Sequence, residues 1–156
     1  MPGSDSCSTA SRAADVPPGA PVSPAISARI IHAALVIGVL LFCLVAWYLG
    51  RASPVPVYAL PERRVLYISL FLVSALLFGA AMFTAGRLGR PGPATSQDEW
   101  WRVNLGKAVT IWALVEAPAL LGLIAYSLTY DFRALIATLT GLLLFGNYRP
   151  SRLIER

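Results

Sequence analysis

The stretch from Lys107 to Tyr130, KAVTIWALVEAPALLGLIAYSLTY, is long and apolar enough to cross a bilayer, yet it holds a carboxylate, Glu116. About 20 consecutive apolar residues read as a transmembrane helix. Counted from Lys107 at 1.5 Å per residue, Glu116 lies roughly 13 Å along it. Two positions later comes Pro118, which lacks a backbone N–H and presses on the carbonyl of Leu114, so a helix kink is expected there. An ionisable group at that depth is costly and reads by default as functional. Much of the remaining chain reads as the surroundings of Glu116.

Hydropathy supports this reading over the whole chain. Of its 156 residues, 56% are hydrophobic and only 13% charged, with a mean hydropathy of +0.64. Soluble domains carry about 25% charged residues, so lipid must cover what a core of this size cannot bury. The net charge of +5 would suggest nucleic acid in a soluble basic protein. Here the arginines lie between apolar runs, where they set orientation and meet anionic headgroups, and no nucleic-acid role is expected.

Four spans follow. Residues 1–28 form a Pro/Ser/Ala-rich tail without apolar periodicity, expected to be disordered. The first span covers about 30–49, between Arg29 and the aromatic pair Trp47-Tyr48. His32 lies one turn inside it, either as an interfacial hydrogen-bonding group or as a proton relay. The second span covers about 65–85. The connection after it carries Ser96 three residues before Glu99, a helix-start signature, and Trp100-Trp101, expected at headgroup level. The third span covers about 108–129. Tyr130-Asp131 reads as a tight turn whose Asp131 caps the fourth span, about 134–148, which is short for a full crossing. Residues 149–156 form a basic tail. The fold expected is an all-α membrane protein of four transmembrane helices arranged as two hairpins.

Nine basic residues (Arg12, Arg29, Arg87, Arg90, Arg102, Lys107, Arg149, Arg152, Arg156) lie on one side of these spans, and four (Arg51, Arg63, Arg64, Arg133) on the other. The positive-inside rule then puts both termini and the middle loop in the cytoplasm of an inner membrane. The first and third spans also align without gaps, with identities such as Ala34/Ala113, Leu35/Leu114 and Val36/Val115, as a tandem repeat would give.

At the depth of Glu116 this topology places Gly38, Gly79, Thr140 and Gly141. Gly38, Gly79, Gly122 and Gly141 are the helix-packing candidates. Glu116, Thr140 and His32 are the candidates for proton or cation binding, with Thr140 and the carbonyl freed by Pro118 as acceptors for a protonated Glu116. Cys7 and Cys43 are placed in water and in lipid respectively, so no bridge is expected, and no spacing suggests a metal. No nucleophile–base pair, metal set or phosphate-cradling loop stands out, so neither catalysis nor a cofactor is expected. Two readings remain: a bundle that oligomerises or supports a membrane complex, and ion or proton handling at Glu116.

The segment EAPALLGLIAYSL is similar to the carboxylate helix of the proteolipid (c) subunits of rotary ATPases. In that helix a Glu or Asp stands six residues before a Gly followed by Leu and Ile, as Glu116, Gly122, Leu123 and Ile124 do here. The glycine-rich partner helix and the Arg-Gln-Pro turn of those subunits are missing. The resemblance implies proton or cation binding at Glu116. The longer run WALVEAPALLGLIAYSLT, with the short fourth span and the terminal RPSRLIER, resembles a family of small uncharacterised bacterial four-helix membrane proteins. That resemblance implies a bacterial inner-membrane protein and no particular activity.

Overall fold

The computed structural model describes residues 22–52, 60–92 and 95–155. The reading of residues 1–21 as a disordered tail, with Cys7 and Arg12, lies outside them. The described chain is helical, without strands: α1 (Pro24–Ala52), α2 (Leu60–Gly86), α3 (Gln97–Thr129), a short 3-10 turn (Phe132–Ala134), α4 (Leu135–Asn147) and α5 (Pro150–Glu155). Three helices, α1, α2 and α3, are long and apolar enough to cross a membrane, and the 3-10 turn with α4 forms a shorter apolar segment, Phe132–Asn147.

All three long helices begin earlier than hydropathy indicated, α2 at Leu60 rather than near 65. α1 starts at Pro24, inside the stretch assigned to the tail. Proline suits a first helical position because its missing N–H would be unpaired there anyway, and the Ser23 hydroxyl accepts from the Ile26 N–H at 3.4 Å. α3 starts at Gln97 rather than near 108. Its N-cap is Ser96, whose hydroxyl accepts from the Glu99 N–H at 3.2 Å. The expected interfacial helix is therefore the first turns of α3 itself. The helix also runs unbroken through Pro118, which is fully buried.

α3 is the axis of the molecule. α1, α2 and α4 each pack along it, while α1 and α2 barely touch one another. The expected first hairpin is thus not a packed pair, and the two halves are not equivalent as a tandem repeat would require. α1 runs parallel to α3. At one end Asp98 accepts from the Ser23 hydroxyl (2.7 Å) and the Ala25 N–H (3.4 Å), a carboxylate at a helix N-terminus. At the other end Gly50 lies against the Tyr130 ring. α2 runs antiparallel, joined to α3 through Trp100 and Gly89 at one end and Tyr67 and Thr129 at the other. α4 is antiparallel as well, with Trp112 meeting Tyr148. The described ends of the chain therefore lie at the same end of the bundle.

The α3–α4 seam is the closest approach. A Cβ on Gly122 would lie 2.6 Å from the Thr138 hydroxyl and 2.8 Å from the Ala134 carbonyl oxygen. One on Gly141 would lie 2.7 Å from the Ala119 Cβ. The Thr138 hydroxyl donates across the seam to the Ala119 carbonyl at 2.8 Å. Gly38 and Gly79 have nothing within 4 Å of the corresponding position. They do not pack helices within one chain, because the buried positions on their helices are neighbours such as Val39 and Ala81.

Adding a methyl at Gly122 forces backbone apart, since two of its three nearest neighbours are main-chain atoms. Gly122→Ala is expected to cost about 1–3 kcal/mol as an overpacked contact. Gly38→Ala and Gly79→Ala relieve glycine's helix penalty of roughly 0.5–1 kcal/mol and should be neutral or stabilising. Unfolding of the purified variants in detergent checks both directions.

Candidate functional site

Glu116 projects from the middle of α3, half-buried. Among the described residues its carboxylate has no hydrogen bond and no ion pair. The acceptors expected for it point elsewhere. The Thr140 hydroxyl donates to the Ile136 carbonyl within α4 at 2.8 Å. The reason lies in the seam: Thr138 and Gly141 turn toward α3, and Thr140, two residues from Thr138, is about 200° further around the helix. The carbonyl deprived of a donor by Pro118 is that of Leu114, also two residues from Glu116 and on the opposite side of α3. The hydroxyl that does reach α3 is Thr138. Its spacing of three residues before Gly141 is the small-residue signal that could have identified it.

Register places other residues level with Glu116. Counting along the parallel pair from the His32–Trp112 contact brings Gly38 opposite Pro118. Counting along the antiparallel pair from Tyr67–Thr129 brings Gly79 opposite Ala117. Both glycines are exposed. Glu116, Gly38 and Gly79 therefore share a depth, while Gly122 and Gly141 are used up inside the bundle. Nearby on α2, the buried Ser74 hydroxyl has no hydrogen-bond partner among the described residues.

His32 is not beside Glu116. Its Nε2 lies 3.2 Å from the Phe145 carbonyl, and since a carbonyl only accepts, Nε2 carries the proton. The ring stands edge-on to Trp112 (5.2 Å) and Phe145 (5.7 Å). Trp112 donates through Nε1 to the Tyr148 carbonyl at 2.8 Å, and Trp100 to the Gly89 carbonyl at 2.7 Å. Trp100 and Trp101 were expected to face headgroups. Both are instead buried, at 3% and 1% exposure. For Trp100 the indole N–H explains this, because it finds the Gly89 carbonyl, while Trp101 packs its ring between those of Trp100 (5.0 Å) and Trp112 (6.3 Å). Trp47 and Tyr48 on α1 remain exposed, as a lipid-facing belt would be.

At the opposite end lies a polar cluster that sequence reading located only in part. The Tyr67 hydroxyl donates to Thr129 Oγ1 at 3.1 Å, and Thr129 donates to the Ala125 carbonyl at 2.8 Å. Between Thr129 and Asp131 the chain turns through Tyr130, held left-handed at φ 51°. Asp131 caps the 3-10 turn by accepting from the Arg133 N–H at 2.9 Å. That hydrogen bond, aided by Tyr67 and by the charges of Arg133 and Arg63, holds the Asp131 carboxyl below its ordinary range against a smaller opposing effect of burial.

Among the described residues no three His, Cys, Asp or Glu side chains come together as metal ligands. Compared with protein-family models, curated proteins and solved structures, the chain matches none.

Asp131→Ala removes the cap and should lower stability by about 1 kcal/mol, with Asn retaining part of it. The folded pKa of Asp131 lies below its unfolded value of ~4. Its contribution is therefore complete above about pH 4 and is lost as pH falls through the folded pKa. Unfolding midpoints measured from pH 7 to pH 3 should converge for wild type and Asp131→Ala at the acid end.

Proposed function

We propose that this chain is a small multi-pass protein of a bacterial inner membrane, without enzymatic activity, that assembles with copies of itself or with a membrane complex. Glu116 and the open glycines at its depth form the contact layer. The observation that carries this reading is the unpartnered Glu116. A half-buried carboxyl in the middle of an apolar helix needs a hydrogen-bond partner, and among the described residues none faces it. Gly38 and Gly79 offer places at the same depth where a second helix backbone approaches closely.

Exposed apolar faces support membrane embedding. Leu40, Leu41, Leu44 and Val45 on α1 and Leu72 and Leu76 on α2 are all half-exposed or more. A soluble monomer rarely leaves apolar patches of that extent in water. Arg64 and Arg87, at the two ends of α2, are roughly 35 Å apart at 1.5 Å per residue, slightly more than the ~30 Å of hydrocarbon. Arg87 lies 4.1 Å over the Phe83 ring, and Arg51, ending α1, lies 3.9 Å over Trp47, as side chains reaching for an interface do. With Phe132–Asn147 read as a short fourth crossing, the excess of basic residues supports a cytoplasmic side that holds both described chain ends.

The same carboxylate favours a second reading, proton or cation binding at Glu116 as in rotary ATPase proteolipids. Two measurements separate them. If Glu116 is an interhelical hydrogen-bonding group, Glu116→Gln keeps the assembly, whereas Glu116→Leu weakens it by about 0.6–2 kcal/mol, roughly 3- to 30-fold. Gly38→Leu with Gly79→Leu should dissociate it without lowering the monomer's melting temperature. Native mass spectrometry or cross-linking in lipid reads both. If Glu116 handles ions, a carbodiimide labels it in the monomer, labelling titrates with pH, and sodium protects it. That outcome together with a monomeric wild type would overturn the assembly reading.

A further inference from the structure

A cleft of about 360 Å³ opens where α2 and α4 end. Its floor is apolar, with Met82, Leu144 and Leu153. Its rim carries Arg90 and Asn147, and Gly86 on the α2 wall leaves room for an occupant. The walls are held in place. Trp100 is hydrogen-bonded to the Gly89 carbonyl beside Arg90, and Trp112 to the Tyr148 carbonyl beside Asn147, so both sides are tied to the rigid axis α3.

Charge at this end is mostly basic, with Glu155 closing α5 as an acidic exception beside the α4 terminus. Arg87 and Arg90 follow α2, and Arg149 and Arg152 follow α4. The described carboxylates of the neighbouring helix start are engaged elsewhere: Asp98 by Ser23 and the Ala25 N–H, and Glu99 by Arg102 at 4.0 Å. Among the described residues Arg90 has no acidic partner. A free phosphate would satisfy Arg90 and Asn147 but leave the apolar floor facing water. A lipid with a phosphate and an acyl chain satisfies both. Basic pockets between helix ends at the cytoplasmic surface are suited to anionic headgroups.

We propose that this cleft binds one anionic phospholipid, its phosphate at Arg90 and Asn147 and an acyl chain along Met82 and Leu144. The inference rests on the membrane reading above and not on the role of Glu116.

The test uses the full chain, purified in detergent, stripped of lipid and offered equal phosphatidylglycerol and phosphatidylcholine, with retention read by native mass spectrometry. One phosphatidylglycerol should be retained over phosphatidylcholine. Arg90→Ala should reduce that preference about five-fold, the worth of one arginine at a charged surface. Gly86→Phe, which places a ring in the cleft from an unobstructed position, should abolish it. Arg102→Ala, outside the cleft, should leave it unchanged. Equal retention of the two lipids overturns the proposal, as does an equal loss in Arg90→Ala and Arg102→Ala, which would mean diffuse attraction. Complete displacement of the lipid by millimolar inorganic phosphate would reassign the site to free phosphate. Failure of the membrane reading shows separately, as protein released from membranes by a carbonate wash.

Discussion

The contact between α3 and α4 sets the rest of the arrangement. Between helices in lipid there is little hydrophobic force, since the tails are as apolar as leucine. What holds them is close packing and the occasional hydrogen bond. Gly122 removes the side chain that would strike the Ala134 carbonyl and the Thr138 backbone, and Gly141 does the same opposite Ala119 and Val115. The approach is then close enough for the Thr138 hydroxyl to reach the Ala119 carbonyl. That bond fixes the rotation of α4. Thr140 turns toward its own helix and Leu143 outward as consequences.

The two ends of the bundle are closed by different chemistry. At one end the carbonyls of the last α4 turn have no helical donor, as at any helix C-terminus. His32 and Trp112 reach them at Phe145 and Tyr148, and Trp100 does the same for Gly89 after α2. Trp112 is thus a cap delivered to α4 from a neighbouring helix, and Trp100 anchors the chain just beyond α2. At the other end the chain reverses within itself. Tyr130 adopts a left-handed conformation that non-glycine residues seldom take, and its N–H bonds the Tyr126 carbonyl at 2.7 Å. Thr129 and Asp131 on either side fasten that turn to α2 and to the start of α4.

Helical class, the apolar helices, the Ser96 cap and the Asp131 cap were all legible in the sequence, because each rests on local composition or on spacing along one helix. Relations between helices were not. Hydropathy cannot report rotation when every face of a helix is apolar, as along Ile30 to Leu49. Gly38 and Gly79 therefore looked as well suited to packing as Gly122 and Gly141, and Thr140 as well placed as Thr138. The early start of α3 was hidden for another reason. Its first turns are polar, and their burial comes from Trp100 and Trp101 folding into the bundle. The central place of α3 left one trace in the sequence: it alone combines a proline, a buried asparagine (Asn104) and a carboxylate with an apolar span.

That central helix narrows what Glu116 can be. α3 is covered on three sides, and wherever it is covered tightly the polar groups meet acceptors, as Asn104 does at the Trp100 carbonyl. Glu116 lies where coverage is incomplete, with the Thr138 bond on one flank and the Leu114 carbonyl on the far side of the helix. A carboxyl meant to brace the monomer would sit where Thr138 sits, against a backbone carbonyl within reach. Placed half-open at mid-helix instead, it costs the isolated chain stability, since an unmet polar group is worth about 1–3 kcal/mol. On the assembly reading proposed above, that cost is recovered when a second helix, approaching at the open Gly38 and Gly79, supplies the missing partner.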